Sequence, residues 1–509
     1  MPGKASRKPT APRAFAAAHA KAGLALTASL LALGTAAPAS ADSAAPEVRM
    51  IQQSTLDPQA LYFVSYDGLV NSSSYQQSGI LTHGGFQYAA WYTADRSAVV
   101  ARRALGTTRW ETVALPHRLS VDDSHNTISL GISPQDDRLH VAMDTHNNPV
   151  HYFRSKPGLA AGRGAWQAEA FGPLQRTLEG VDVGSMTYPR FVVAPNGKLQ
   201  LSYRTGQGSG NGVLELAEYD GAWHELGSWT SSTGDYSANG GTSTTRNMYL
   251  HGLTYGPRGR LHAAFTWREG DNSVLCDPGG LTNHDTGYAY SDDQGRTWRN
   301  NTGEQIATTG TDQRVSISSP GHVVRPSGVD HALINQESQA VDSTGRPHVL
   351  VSRVPEDATD CVTDFTAQRR SQGRVYHQHR EADGRWVETQ LPVPLEAFGR
   401  TRIGFDRDDN AYAVMPYGRI LTASKASGWT DWTLRFDPQD FNAFGEVLVD
   451  DTRAAKDGVI SVMYQQRSQG TTPSPIAVAD FRLERGGGRI GNGPALAAGP
   501  LSGLTFERS

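Results

Sequence analysis

The chain has few cysteines. Only Cys276 and Cys361 occur among its 509 residues, far fewer than a fold built on disulfide bonds requires. A protein of this length with so few cross-links must be held together by a large hydrophobic core. The small disulfide-rich classes are therefore excluded.

Long hydrophobic runs are also scarce. The apolar run at residues 22–37 is rich in Ala and shorter than the roughly 20 residues that a membrane span needs, and no later run reaches that length. Five bases and no acid come before it: Lys4, Arg7, Lys8, Arg13 and Lys21. The small-residue triplet Ala39-Ser40-Ala41 follows it, which is typical of a secretory signal. We predict that residues 1–41 are a signal peptide and that the mature protein is secreted, extracellular and without a membrane span.

Basic residues do not outnumber acidic ones: 47 Lys and Arg stand against 51 Asp and Glu. The formal net charge is -4, and removing the five bases of the signal, with no acid lost, takes it to -9. Because binding to nucleic acid depends on a basic surface, nucleic acid is excluded as the main partner. An acidic sugar polymer would have to be met by a local basic pocket.

Helical periodicity is missing as well. No long stretch shows the 3.6-residue period of an amphipathic helix, whereas short alternating runs of β-branched and aromatic residues recur between Gly, Asp, Asn and Pro. The chain is therefore predicted to be all-β. A unit that pairs a turn with a strand, and often ends in Trp, returns at residues 85–88, 138–141, 198–201, 260–263, 346–349, 410–413 and 459–462.

Seven such units predict a seven-bladed β-propeller of four-stranded antiparallel blades over residues 42–485. Residues 486–509, rich in Gly, Ala and Pro, are expected to form a tail or a blade-closing segment. Within each blade, the innermost strand begins and the second strand ends at the same face of the disc, because consecutive strands are antiparallel. Polar residues at these two places in neighbouring blades therefore converge. In the second to fourth units they are His125, His146, Tyr188, Arg204, Arg246, Tyr249 and His251.

These residue types suit an elimination reaction at a uronic acid. The C5 proton of a uronate is too weakly acidic to remove while the neighbouring carboxylate is charged. An Arg can neutralise that carboxylate, because its planar guanidinium meets both oxygens and stays charged. A His or Tyr must then take the C5 proton, and the same or a second group protonates the leaving glycosidic oxygen.

Five segments carry a resemblance to a known family. Residues 124–126, 143–147, 188–191, 202–206 and 246–251 resemble the active-site segments of the ulvan lyase, or rhamnosyl-glucuronate lyase, family. The resemblance implies a seven-bladed propeller that cleaves rhamnose linked to C4 of glucuronate and leaves a 4,5-unsaturated uronate. It implies proton transfer by His125, His146 and Tyr188. Arg204 and Arg246 match the Arg positions of two different branches, so the branch and the identity of the base stay open.

The substrate stays open too. Ulvan is the first expectation, with Tyr249 and Arg190 as substrate-binding residues and with Arg268 or Arg353 as further candidates for a sulfate group. Related propellers attack the same bond in arabinogalactan or gum arabic, so a rhamnosidase-like hydrolase is an alternative. A carbohydrate-binding propeller without catalysis is another. We expect a monomer with no organic cofactor.

The two cysteines allow two interpretations. In an exported protein they would by default form a disulfide bond. Alternatively, Cys276 and Cys361 could join His251 and His284 in a tetrahedral structural zinc site. The family resemblance implies such a zinc in at least one branch, so both alternatives are kept.

Overall fold

Seven antiparallel β-sheets succeed one another along the chain in the computed structural model, which describes residues 44–75, 78–206, 210–438 and 440–485. The predicted signal peptide, residues 1–41, and the predicted tail, residues 486–509, lie outside the described residues. All described residues belong to one unit. Within them, no helix is both long and apolar enough to cross a membrane.

The first strand, β1 (Glu47–Ala60), belongs to the last sheet, and the next twelve strands form sheets 1 to 3. Sheet 1 consists of β2 (Ile80–His83), β3 (Phe86–Tyr92), β4 (Ser97–Ala104) and β5 (Glu111–Arg118). Sheet 2 consists of β6 (Ile128–Ser133), β7 (Arg138–Met143) and, beyond the intervening β8, β9 (Tyr152–Arg154). Sheet 3 consists of β8 (His146–Pro149), β10 (Ser185–Val193), β11 (Leu199–Arg204), β12 (Leu214–Tyr219) and β13 (Trp223–Ser228).

Sheets 4 to 7 follow in the same manner. Sheet 4 consists of β14 (Thr233–Ala238), β15 (Gly241–Tyr255), β16 (Leu261–Glu269), β17 (Asn283–Ser291), β18 (Thr297–Arg299), β19 (Gln305–Thr308) and β20 (Val323–Arg325). Sheet 5 consists of β21 (Ser338–Val341), β22 (Pro347–Arg353), β23 (Arg374–Arg380) and β24 (Trp386–Pro394). Sheet 6 consists of β25 (Arg402–Phe405), β26 (Ala411–Val414), β27 (Ile420–Ala423) and β28 (Thr433–Phe436). Sheet 7 consists of β29 (Leu448–Val449), β30 (Val459–Gln465), β31 (Ser474–Glu484) and β1.

Helices are short and lie between strands. The two α-helices are α1 (Phe365–Gln372) and α2 (Ala454–Asp457) among the described residues. The 3-10 turns there are Leu159–Ala161, Ala168–Ala170, Asn272–Val274, Val329–His331 and Pro416–Gly418. The prediction of an all-β chain is therefore confirmed.

The repeating units of the sequence coincide with the sheets. Each of the seven predicted units falls on one strand of a different sheet, namely β3, β7, β11, β16, β22, β26 and β30. The expectation of four strands in every sheet is met in sheets 1, 5, 6 and 7 only. Sheet 2 has three strands, sheet 3 has five and sheet 4 has seven. Sheet 3 gains a strand because β8, which follows the second strand of sheet 2, pairs with β10.

The ends of the described chain meet in sheet 7. β1 pairs antiparallel with β31, with Glu47 opposite Glu484 and Ser54 opposite Val478. Backbone hydrogen bonds between the first and last strands hold both ends in one sheet, so separating β1 from β31 would break many of these bonds.

The hydrophobic core lies between consecutive sheets. One cluster joins Tyr88 and Ala90 of sheet 1 to Leu130 and Val141 of sheet 2. Similar clusters join sheet 5 to sheet 6 and sheet 6 to sheet 7, and another joins sheet 7 back to sheet 1. The central strands are therefore covered on both faces; every residue of β30, for example, is buried. Stability comes from these packed faces, as the scarcity of cysteine requires.

A disulfide bond joins Cys276 to Cys361, which lie 85 residues apart in the chain. It ties the loop between β16 and β17 to the loop that precedes α1. The disulfide interpretation is confirmed, and the structure contradicts a zinc site at Cys276, Cys361, His251 and His284, because sulfurs bonded to each other offer no thiolate to a metal. The two histidines also have other partners. His284 lies 2.9 Å from Glu269 and 3.0 Å from Asp285, and Nδ1 of His251 accepts a hydrogen bond from the backbone of Glu337.

Replacing both cysteines, Cys276→Ser with Cys361→Ser, is expected to lower the melting temperature by several degrees. Closing a loop of this length restricts the unfolded chain by up to about 4.5 kcal/mol in the entropic account. Calorimetry would measure the shift, and a reductant should lower the melting temperature of the wild type but not that of the double variant. Alkylation of thiols in the denatured, unreduced protein would contradict the assignment.

Candidate active site

Five of the predicted residues meet at one cleft. The rings of His125 and His146 are stacked with their centroids 4.3 Å apart, and each centroid lies 6.0 Å from that of Tyr188. The centroid of Tyr249 lies 6.0 Å from Tyr188 on the other side. The guanidinium carbon of Arg204 lies 5.2 Å from the ring centre of Tyr188. The convergence expected from strand order is therefore observed, while the roles of these residues stay a prediction.

These side chains lie at the start of the first strand or the end of the second strand of their units, where antiparallel pairing brings them to one face. His125 precedes β6, and Arg204 is the last residue of β11. His146 begins β8 and lies opposite Thr187 of β10, next to Tyr188. The pairing of β8 with β10 thus carries a residue of the second unit into contact with the third.

An aspartate that the sequence analysis did not single out links the two histidines. Nδ1 of His125 lies 2.6 Å from one oxygen of Asp123, and Nδ1 of His146 lies 2.6 Å from the other. Burial alone would raise the pKa of Asp123, but the hydrogen bonds from both histidines outweigh it and hold that pKa far below its usual range. Because a carboxylate only accepts hydrogen bonds, both Nδ1 atoms carry the proton. In the neutral rings, each Nε2 is therefore the basic nitrogen.

Burial sets the charge of His125. It lowers the pKa of His125 to about 4, although the hydrogen bond to Asp123 acts in the opposite direction. The ring is also packed between other aromatic groups, with Tyr75 stacked 4.4 Å away and Tyr66 edge-on at 4.6 Å. His125 is therefore neutral near pH 7 and is able to accept a proton at Nε2.

Tyr188 has an unusual backbone. Its φ is 53°, in the left-handed region that bulky residues rarely adopt, and Pro189 follows it. The pairing of β10 with β11 shifts register between Thr187 and Arg190, so Tyr188 sits in a bulge that directs it to the cleft. Desolvation raises the pKa of Tyr188 well above its ordinary value, with Tyr249 adding to it and the charge of Arg204 opposing it. The phenol therefore keeps its proton at neutral pH.

Arg204 is a buried cation that has no carboxylate partner among the described residues. It donates to the hydroxyl of Tyr249 at 3.0 Å and to the amide oxygen of Asn147 at 3.2 Å, and no salt bridge of Arg204 occurs within the described residues. Burial would raise the pKa of Tyr249, but Arg204, Arg268 and the hydrogen bond from Asn247 lower it on balance. An uncompensated guanidinium beside the cleft is suited to receive a substrate carboxylate.

Arg246 lies outside this arrangement, and its catalytic role stays a prediction that its contacts do not favour. Its side chain is fully buried. It donates to both oxygens of Glu269, at 2.8 and 3.1 Å, and to the backbone oxygens of Gly234 and Ser243. A buried cation that already has a carboxylate partner is not available to a sugar acid. Arg246 therefore stabilises the interior of sheet 4.

Arg190 does not border the cleft beside His125, but it borders the adjoining cavity together with Tyr188, Arg204 and Tyr249, and its contact with substrate stays a prediction. It is buried in β10 and borders a cavity that extends to Asp451 on the far side. Burial lowers the pKa of Arg190 to about 10, although Asp451 opposes the shift. Arg353, the other candidate for a sulfate, is paired with Glu388 and Glu356.

The cleft itself has a volume of about 140 Å³ and mixed walls. Aromatic and aliphatic residues form one part, and two cations form another. The residues that border it together with His125 and Tyr188 include Tyr66, Tyr75, Arg268, Leu281, Phe365, Phe398 and Arg400. Leu281 lies in the loop that carries Cys276, and Phe365 begins α1 four residues after Cys361, so this bond fixes one wall of the cleft.

Several of these residues escaped the sequence analysis. Asp123 lies only two positions before His125, so its proximity in sequence was a usable signal. Tyr75 and Arg400 come from distant parts of the chain, and nothing in their local sequence indicates the cleft. Arg400 is held by Glu446 at 2.7 Å and lies 4.6 Å from the ring centre of Tyr75. Of the three arginines considered for a sulfate, only Arg268 borders the cleft.

Asp123, His125 and His146 also form one of the groups whose ligand atoms lie close enough together to hold a metal ion. Both Nδ1 atoms are already satisfied by Asp123 at hydrogen-bond distance. Two imidazoles that each donate from Nδ1 to one carboxylate account for this geometry without a metal.

Comparison with known proteins places the chain among carbohydrate-active relatives. It is 25% identical over 459 residues to an ulvan lyase, long isoform, of Alteromonas sp. (strain LOR), which covers 80% of this chain and 43% of the relative. A long-isoform ulvan lyase of Pseudoalteromonas sp. (strain PLSV) is 24% identical over 457 residues, with the same coverage of both chains. The chain thus spans less than half the length of these curated relatives.

Solved structures share the fold. Polysaccharide lyase Uly1 superimposes with a TM-score of 0.65 at 17% identity, covering 86% of this chain and all of that one. An ulvan lyase of family PL25, solved with -[GlcA(1-4)Rha3S]- bound, gives a TM-score of 0.58 at 12% identity and covers 84% of this chain and 95% of that one. The sequence profile of the BNR repeat-containing family matches residues 86–393, which is more than half of the chain. The chain therefore belongs to the BNR repeat-containing family.

Proposed function

We propose that this protein is a secreted polysaccharide lyase that cleaves ulvan by β-elimination at the rhamnose-(1→4)-glucuronate bond. The observation that carries the proposal is the set of groups around the cleft. Asp123 accepts a hydrogen bond from Nδ1 of both His125 and His146, so the basic Nε2 atoms lie on the opposite sides of the rings. The protonated Tyr188 lies beside them, 5.2 Å from the guanidinium carbon of Arg204. The names of the relatives, ulvan lyase and polysaccharide lyase, support the same reaction.

In the proposed reaction, Arg204 neutralises the carboxylate of glucuronate. Its guanidinium is held by Tyr249 and Asn147, which are neutral acceptors, so its full charge is available to the substrate. Pairing with this charge stabilises the enolate-like anion that forms when the C5 proton leaves. This makes C5–H acidic enough for a side chain to remove its proton.

Nε2 of His125 takes the C5 proton. The ring is neutral at physiological pH because burial lowers its pKa, and Asp123 fixes the tautomer in which Nε2 is free. The positive charge that develops on the ring is stabilised by the carboxylate on its other side. His146, held by the same carboxylate, keeps the pair aligned for the substrate.

Tyr188 donates its proton to the leaving glycosidic oxygen. Its raised pKa keeps the phenol protonated before the reaction, and Arg204 lies 5.2 Å from the ring centre to stabilise the phenolate afterwards. The electrons of the C5–H bond form the C4–C5 double bond as the C4–O bond breaks. One product ends in a 4,5-unsaturated uronate, and the other regains a hydroxyl group.

Ulvan is preferred to a neutral-capped polymer because the cleft offers further positive charge. Arg268 borders it together with the catalytic rings, whereas Arg400 is already paired with Glu446. A sulfated rhamnose beside the glucuronate would meet Arg268, as electrostatic complementarity requires. The relative solved with -[GlcA(1-4)Rha3S]- supports this substrate class.

The proposal includes an architecture and a location. The seven sheets are taken as blades around one axis, with the cleft at the face where the second strands end. Export is proposed from the basic and apolar pattern of residues 1–41.

Incubation with ulvan is expected to raise the ultraviolet absorbance of a conjugated uronate and to yield products whose mass contains no added water. Gum arabic, run in parallel, is expected to give a much smaller signal because it lacks sulfate. Saturated products with added water would instead identify a hydrolase, and binding without any product would identify a non-catalytic carbohydrate-binding protein.

Replacing the proposed base or acid is expected to lower kcat by about 100-fold or more without unfolding the protein. The variants are His125→Ala and Tyr188→Phe. Matched controls outside the cleft are His224→Ala, at an exposed position, and Tyr255→Phe, whose hydroxyl bonds Gln200. Activity of either cleft variant within a few-fold of its control would remove that residue from the mechanism.

The pH profile tests the link between Asp123 and His125. Because the base must be unprotonated, kcat/KM should fall as the pH drops through about 4, the pKa of His125. Asp123 raises that pKa, so Asp123→Asn should move this acid limb to lower pH and also reduce the rate at neutral pH, since Nε2 becomes less basic. A reduced rate with an unmoved acid limb would show that Asp123 only supports the local fold.

A further inference from the structure

Three buried histidines lie together on one face of sheet 5. His348 of β22 is directly opposite His379 of β23, and His377 lies two residues before His379 on the same face. Their side chains are fully buried or nearly so. One nitrogen from each ring lies within 4.8 Å of the other two, and the ring centroids form a triangle with sides of 5.0 to 5.1 Å.

Sheets 2 and 4 also have a buried histidine at the position equivalent to His348, and there it bonds a tyrosine. In sheet 2, Nδ1 of His140 bonds the hydroxyl of Tyr152 at 2.6 Å, and in sheet 4, Nδ1 of His262 bonds the hydroxyl of Tyr288 at 2.7 Å. By strand register these pairs are equivalent to His348 and His377. A single tyrosine therefore satisfies Nδ1 of the buried histidine, while Nε2 of His140 and Nε2 of His262 have no hydrogen-bond partner among the described residues.

Sheet 5 departs from this arrangement at two positions. His377 stands where the other sheets have Tyr152 and Tyr288, and His379 stands where they have Arg154 and Tyr290. Nε2 of His377 lies 2.9 Å from Nδ1 of His348, so the usual hydrogen bond is kept. The second and third imidazoles are additions that this bond does not require.

The additional imidazoles are not fully satisfied by their surroundings. Nδ1 of His379 has no hydrogen-bond partner among the described residues, whereas His377 has a hydrogen bond to the backbone of Trp429. An unsatisfied buried polar atom costs about 1–3 kcal/mol. The His–Tyr pairs of sheets 2 and 4 leave one such atom each, at Nε2 of His140 and of His262, so hydrogen bonding by itself does not account for the second and third imidazoles of sheet 5.

We propose that His348, His377 and His379 bind one divalent transition-metal ion, Zn²⁺ or Cu²⁺. Imidazole nitrogen is a preferred ligand of both ions, and three imidazoles with one further ligand form a known type of zinc site. A metal about 2.0–2.1 Å from each nitrogen would place the nitrogens about 3.3 Å apart. The 2.9 Å between His348 and His377 would have to lengthen by a few tenths of an ångström only.

Carboxylates lie where they would orient the ligands. Glu381 is 3.2 Å from Nε2 of His379, and Asp342 is 3.7 Å from Nε2 of His348. An acceptor on the far nitrogen of a metal-bound imidazole fixes the ring and makes it a stronger ligand. The cluster therefore has both ligands and supporting groups.

The cluster lies apart from the cleft and between two sheets. His348 is the second residue of β22, whereas Arg204 of the cleft is the last residue of its strand. Phe405 of β25 and Trp429, from the loop between β27 and β28, pack edge-on against His348 at 4.7 and 4.6 Å. A metal here would have no contact with substrate, and it would stabilise sheet 5 against its neighbour.

A second cluster of potential metal ligands is less suited to hold a cation than the three histidines of sheet 5. His117, Asp144 and His151 also lie within ligand distance of one another. There, however, His117 bonds Asp144 at 3.0 Å, and the guanidinium of Arg176 contacts Nε2 of His151. A cation at this place would meet the positive charge of Arg176. At His348, His377 and His379 the nearby cation is Arg346, which adds to burial in lowering the pKa of His348 and His379 but is itself paired with Asp342 at 2.9 Å and with Glu381 at 3.8 Å.

The test uses the full-length protein without a polyhistidine tag, stripped of metal and titrated with Zn²⁺ and with Co²⁺ as a spectroscopic probe. We expect one ion per chain and a rise in melting temperature of about 3 °C at hundredfold excess of Zn²⁺ over the dissociation constant. The Co²⁺ protein should show visible d–d bands without a thiolate charge-transfer band, because both cysteines are in a disulfide bond.

Matched variants assign the site. His377→Tyr recreates the His–Tyr pair of sheets 2 and 4, so it should fold and lose at least tenfold in metal affinity. His379→Gln provides a second variant with the same expected loss. His262→Gln is the control, because sheet 3 has Gln200 at the equivalent position, and it should bind metal as the wild type does.

Each remaining result contradicts the proposal. These are a wild type that takes up no metal, a His377→Tyr protein that binds as tightly as the wild type, equal losses in His262→Gln and His377→Tyr, and a thiolate band in the Co²⁺ spectrum. The last would assign the metal to Cys276 and Cys361 instead. None of these readouts depends on lyase activity.

Discussion

The carboxylate of Asp123 is the group on which the arrangement of the cleft depends. It accepts one hydrogen bond from each of two stacked imidazoles, 2.6 Å from both, and so determines which nitrogen of each ring is basic. Without a buried anion, two imidazoles 4.3 Å apart would repel each other whenever both gained a proton. With it, they form a rigid pair whose Nε2 atoms are free. The proposed base, its tautomer and its alignment with Tyr188 all follow from this one contact.

Strand pairing delivers the other groups to the same place. β8 leaves the second sheet and pairs with β10, which brings His146 next to the bulge at Tyr188. Arg204, the last residue of β11, lies at the same place. The positive φ of Tyr188 is a strained conformation that the surrounding ladder maintains. Local strain is thus balanced by regular hydrogen bonds on either side, as is common where a sheet presents a functional side chain.

Charge compensation distinguishes the arginines of this protein. Arg246 and Arg204 are both buried, but Arg246 is neutralised by Glu269, whereas Arg204 has only the uncharged partners Tyr249 and Asn147. The same distinction separates Arg353, which is paired with Glu388, from Arg268, which borders the cleft. Residue type alone does not make an arginine available to an anion. The presence or absence of a nearby carboxylate decides it, and that depends on packing between distant segments.

The sequence by itself determined the fold class, the seven repeating units and the residues that strand order brings together. It could do so because the alternation of apolar and polar side chains and the positions of turns can be read from short stretches of sequence. In addition, the end of one antiparallel strand always lies beside the start of its neighbour. His125, His146, Tyr188, Arg204 and Tyr249 were predictable for that reason. Only the tertiary structure decided that Arg246 is paired, that Cys276 bonds Cys361, that β8 crosses into the next sheet, and that Tyr75 and Arg400 reach the cleft. These outcomes depend on contacts between residues far apart in the chain, whose distances no local pattern encodes.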